Sequence, residues 1–219
     1  MEIPKAIWRI FSSASYLATI VSFILVIIEI KKLPAAFRAL AAFLLLGVLA
    51  ESYQRIAYYV FHANYNLYIV PIYYLLEFAT LGILYFKYLL KVKKKNSIPL
   101  GVLFFFILAV EGFRSIYFDN AQNYTAYGKV LVNLFVIILC VRFFIEMARN
   151  SGFQHGYKLY LNISIFIYYV VCLIIFVSIN YLINGLPKLT IYFWIFHAAI
   201  SFVFYTSLGL IIWRTPRNQ

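Results

Sequence analysis

The chain has 219 residues, 65% of them hydrophobic and 21% aromatic, with only 12% charged and a mean hydropathy of +0.89. A soluble domain carries about a quarter charged residues, so this composition excludes one and predicts an all-α polytopic membrane protein. The formal charge of +12 does not mark a nucleic-acid binder, because the basic residues gather in short segments between apolar runs, as positive-inside insertion requires.

Seven runs of spanning length predict a single transmembrane domain over residues 1–219, a seven-transmembrane-helix bundle with spans near 7–30, 36–61, 67–90, 98–118, 128–148, 158–184 and 190–213. The first is too long for a cleavable signal peptide, and no small-residue cleavage site follows it. Pro34 and Pro99 fall at helix starts, where a missing amide donor costs nothing, and Gly185 with Pro187 separates the last two spans. Thirteen basic residues, among them Lys31, Lys32, the run from Lys87 to Lys95, Arg142 and Arg214, lie on one side. Four, Lys5, Arg9, Lys129 and Lys188, lie on the other. The bias puts the N-terminus outside and the C-terminus in the cytoplasm, in a bacterial inner membrane.

Polar groups inside the spans are the candidates for a working site, because charge in hydrocarbon is costly and faces a bundle interior or a wet cavity. In span two, Glu51, Arg55 and Tyr58 share one helical stripe, with Gln54 beside them. Glu51 lies roughly 20 Å from the inner face at 1.5 Å per residue. Span three carries Glu77 with Tyr73 one turn before it; no basic residue lies within a turn, so Glu77 is expected to be protonated or to reach Arg55 or Arg114. Span four adds Glu111 and Arg114, span five Asn133, span six Asn180, and span seven Trp194, His197 and Tyr205. Glu51 with Arg55, and Glu111 with Arg114, also read as self-neutralising pairs on their own helices, and His197 as a hydrogen-bonded interior residue. Their coincidence in depth instead points to an outward-facing polar cavity. Cys140 and Cys172 sit mid-span as small buried apolar residues.

Several chemistries find no support. The last span has no lysine for a retinal Schiff base, and His62, His155 and His197 are too far apart along the bundle to share a metal ion. Neither a cofactor motif nor a catalytic constellation is present, so no enzyme activity is expected.

Pro71-Ile72-Tyr73-Tyr74-Leu75-Leu76-Glu77-Phe78 in span three, and Trp194-Ile195-Phe196-His197-Ala198-Ala199-Ile200-Ser201 in span seven, resemble the corresponding spans of small, uncharacterised seven-helix membrane proteins of Bacteroidetes. That family is often encoded beside sensor histidine kinases. The resemblance implies a sensory role, with Glu77 and His197 at the matching positions.

Two functional readings follow. In the first, a receptor-like protein surrounded by membrane lipids binds a small ligand in the outer cavity and signals through a partner, a histidine kinase or a second copy of the chain. Three acids against two arginines give the candidate set a net charge of minus one, which suits a cationic, zwitterionic or neutral polar ligand held by aromatic walls. The second reading is a small-solute transporter, proton-coupled through Glu77, Glu111 or His197. Short connections and the absence of a visible internal repeat count against it.

Overall fold

Among the described residues of this computed structural model, six helices are long and apolar enough to cross a membrane. The structure describes residues 2–61, 69–90, 101, 102, 105, 106, 109, 110, 113, 126–149 and 156–215; at residues 2, 3, 58, 69–71, 180, 183–185, 187 and 188 it describes the backbone alone. The helices are α1 (Glu2–Glu29), α2 (Ala36–Tyr59), α3 (Ile69–Ile83), α4 (Tyr127–Arg149), α5 (Tyr157–Gly185) and α6 (Pro187–Arg214). No strand occurs among the described residues. Where seven spans were expected, six are established there. Of the expected fourth, residues 101, 102, 105, 106, 109, 110 and 113 are helical, and the rest lies outside the described residues.

Local chemistry sets the element ends. α1 starts at Glu2 rather than near residue 7, so Lys5 and Arg9 belong to its first turns and not to a loop. Pro187 opens α6 as its first residue, where the missing amide is no loss. Only Leu186 (φ −138°, ψ 65°) separates α5 from α6, and its amide still bonds the Leu182 carbonyl at 2.8 Å. α3 ends in a π-helical turn, Leu84–Leu89, closed by the Leu90 amide on the Tyr85 carbonyl at 2.8 Å.

Each helix packs on the next in the chain, and α6 packs back along α1, closing a ring. α3 and α4 run parallel: Glu77, midway along α3, meets Lys129 in the first turn of α4, and Tyr85, in the π-helical turn that ends α3, meets Cys140 further along α4. In lipid, apolar surface gains nothing by leaving water, so close packing and interhelical hydrogen bonds carry the association. Small residues on one face of α1 permit that approach. Ser15, Thr19 and Ser22 are buried at steps of four and three. The Ser22 hydroxyl donates to the Tyr205 carbonyl across to α6 at 2.8 Å. A Cβ at Gly209 would sit 2.8 Å from Ser22 Oγ, and one at Gly47 would sit 3.3 Å from Thr19 Cγ2.

Away from the N-terminal end of α1 the core is apolar and rich in aromatic rings. Phe37, Leu40, Leu44, Leu139, Phe143 and Leu161 are all buried there. A polar cluster within it is joined by its own hydrogen bonds. The Tyr85 hydroxyl donates to Asn162 Oδ1 at 2.8 Å and lies 2.9 Å from Cys140 Sγ, while Asn162 Nδ2 donates to the Cys140 carbonyl at 3.3 Å. Cys140 and Cys172 are both free and buried.

Candidate functional site: a cavity beside a buried ion pair

Glu77 is 1% exposed and Lys129 3%. The Lys129 ammonium donates to both carboxylate oxygens, at 2.6 and 2.5 Å, and the Tyr169 hydroxyl donates to Oε1 at 2.6 Å. Two buried charges recover their lost hydration only with such geometry and added hydrogen bonds. Four rings surround the ammonium, with Tyr169, Tyr73, Tyr74 and Phe176 centroids at 5.4, 5.6, 5.7 and 6.0 Å. Among the described residues the third ammonium N–H has no acceptor.

The pair corrects one expectation. Glu77 meets Lys129, which the sequence placed among loop charges, and not Arg55; Arg114 lies outside the described residues. Nor do Glu51, Arg55 and Glu77 form one network. Arg55 Nε lies 3.8 Å from Glu51 Oε2 on the same helix, and Arg55 Nη2 donates to the carbonyl and hydroxyl of Ser12 at 3.0 and 3.1 Å. Its guanidinium also covers the Tyr16 ring at 4.7 Å. Arg55 therefore fastens α2 to α1. The signal that could have found Lys129 is its position: it stands inside the expected fifth span, opposite an acid lacking a local partner.

Beside the ion pair lies a cavity of about 610 Å³, walled by all six helices. Lys5, Trp8, Arg9 and Gln54 form an exposed rim. Tyr74, Lys129, Tyr168, Ser201 and Tyr205 form a buried floor. Glu51, Tyr73, Phe176, Trp194 and His197 stand between them. His197 is wedged edge-to-face against Phe176 and Trp194, at 5.3 and 5.9 Å. No hydrogen-bond partner for its imidazole is found among the described residues, so the expected interior bond is not seen there. Tyr168, stacked on Phe204 at 4.1 Å, presents its hydroxyl to Ser201 at 3.5 Å.

Of the residues singled out in the sequence, Glu51, Gln54, Tyr73, Trp194, His197 and Tyr205 line this cavity. Glu77 sits behind Lys129 and Arg55 behind α1, so neither lines it. Asn133 is fully buried, with both amide atoms unpartnered among the described residues. The side chains of Tyr58 and Asn180, and all of Glu111, Arg114, His62 and His155, lie outside the described residues.

The electrostatic sign differs from the sequence tally. Among the described charges that line the cavity, or pair with one that does, Lys5, Arg9, Arg55 and Lys129 stand against Glu51 and Glu77. The balance is two positive charges. Compared with protein-family models, curated proteins and solved structures, the chain matches none.

Proposed function

We propose that the protein is a receptor-like, multi-pass protein of a bacterial inner membrane that binds a small ligand in this cavity and signals through a partner at its basic face. The observation that carries the reading is the cavity itself: exposed at the rim, polar and aromatic on its walls, and floored by buried side chains. Such a chamber, with an apolar core packed beneath it, favours binding over passage. Ligand-dependent repacking of the helix ring then biases one of two arrangements, read by a histidine kinase or a second copy of the chain.

Seven crossings, with the N-terminus outside, belong to this reading. α3 and α4 are parallel neighbours, which one more crossing between them would explain, and the helical residues 101, 102, 105, 106, 109, 110 and 113 are consistent with it. The loop charge bias then puts the cavity mouth outside.

The test compares what co-purifies with the parent and with Ser201→Phe, which fills the cavity floor. A small molecule released from denatured parent and absent from the variant is the expected result. Identical extracts overturn the reading, and uptake of that molecule by protein-loaded liposomes replaces it with the transporter.

A further inference from the structure

We propose that the ligand is a small organic anion, a monocarboxylate with an aromatic or compact apolar body, and that Lys129 receives its carboxylate. The inference rests on the cavity being a binding site and adds the ligand's charge and anchor.

Three observations carry it. First, three of the aromatic rings that line the cavity, Tyr73, Tyr74 and Phe176, already surround the protein's own cation, the Lys129 ammonium. Second, Lys129 lines the cavity and Glu77 does not. An entering ligand thus meets the ammonium face of the ion pair, with one N–H unspent among the described residues. Third, the exposed rim carries Lys5 and Arg9, and the whole set of described charges is positive by two. A cation entering past Lys5 and Arg9 toward Lys129 is repelled at each step, and an anion is drawn in. At the effective dielectric of such sites a full charge roughly 8 Å away changes a monovalent ligand's affinity by about tenfold or more.

The remaining polar groups fit the same ligand. His197, Ser201 and Tyr205 can donate to carboxylate oxygens, and Trp8, Phe176 and Trp194 can enclose an apolar body. Glu51 is held by Arg55 at 3.8 Å, so it does not present an uncompensated negative charge. In the bound state the ligand shares the ammonium with Glu77, or takes it over while Tyr169 keeps its bond to Glu77. That exchange connects occupancy to the contact between α3 and α4.

Three water-soluble probes of one shape separate the outcomes: 3-phenylpropanoate, 3-phenylpropylammonium and 3-phenylpropanol. Thermal stabilisation of the full chain in detergent by each, at millimolar concentration, is compared across variants. The carboxylate should stabilise the parent at least tenfold more tightly than the ammonium, and Ser201→Phe should abolish the effect. Glu77→Gln, which frees Lys129, should tighten the carboxylate about tenfold. The double variant Lys129→Gln with Glu77→Gln should lose it. Arg9→Gln on the exposed rim leaves the fold intact and should weaken the carboxylate while strengthening the ammonium. That variant decides the matter if the buried ones do not fold. Stabilisation by the ammonium or the alcohol equal to that by the carboxylate overturns the inference and leaves the cavity a binding site. No stabilisation by any probe overturns both.

Discussion

The Lys129 ammonium and the Glu77 carboxylate, 52 positions apart in the chain, meet at 2.6 and 2.5 Å in a site that excludes solvent from both. This pair links α3 to α4, and of its two members only Lys129 lines the cavity, so its ammonium is the face that a ligand meets.

Removing one member strands the other in a dry interior, which typically costs about 3–5 kcal/mol. Lys129→Met should therefore lower the detergent melting temperature sharply. Lys129→Met with Glu77→Leu should recover most of the loss, because no charge is left behind. Additive losses in that cycle would mean the two groups do not interact.

Arg55 belongs to a different contact. Arg55→Leu removes its bonds to Ser12 and its cover of Tyr16, a loss of about 1–2 kcal/mol for a partly exposed charged donor. Its effect should couple to Ser12→Gly, which loosens the receiving backbone, and add simply to Glu77→Gln. Strong coupling between Arg55 and Glu77 in the melting assay would instead join the two contacts, as the expected reach of Glu77 to Arg55 required.

Gly209 and Gly82 are opposite cases. At Gly209 a Cβ meets Ser22 Oγ at 2.8 Å, whereas at Gly82 nothing lies within 4 Å. Gly209→Val should cost about 1–3 kcal/mol by forcing α6 off α1. Gly82→Ala should instead stabilise by roughly 0.5 kcal/mol through helix propensity. Equal melting shifts for the two variants would contradict the close approach of α1 and α6.

A cytoplasm-dependent reporter fused after Gln219, or between Lys93 and Ser97, should be active. An inactive fusion at either point in a correctly inserted protein would reverse the proposed topology and the side on which the cavity opens.

The helices were legible because a spanning helix needs about 20 apolar residues, a signal local to each segment. The Glu51–Arg55 pair was legible for the same reason, since a spacing of four defines a neighbour on a helix. Lys129 was not: a lysine at the first turn of a span reads as an interfacial anchor, and nothing in one sequence pairs it with Glu77. Tyr74, Tyr168 and Phe176 were hidden in a chain with 20 tyrosines and 22 phenylalanines, where composition cannot say which rings face a cavity. The sign of the cavity charge differs because Lys5 and Arg9, like Lys129, read as charges at the ends of spans and line the cavity instead. Ser15, Thr19 and Ser22 carried a readable small-residue spacing, and the packing of α1 on α6 follows it.

The most direct test of the account is access to the cavity floor from outside. Ser201, buried beside Tyr168, becomes the labelling site as Ser201→Cys, and the native Cys140 and Cys172 are buried and contribute little background. Intact cells are treated with membrane-impermeant methanethiosulfonate reagents, one bearing a sulfonate and one a trimethylammonium group. The account predicts labelling from outside, faster with the sulfonate than with the ammonium reagent. Labelling only after the cytoplasmic face is exposed, or none from either side, would contradict it.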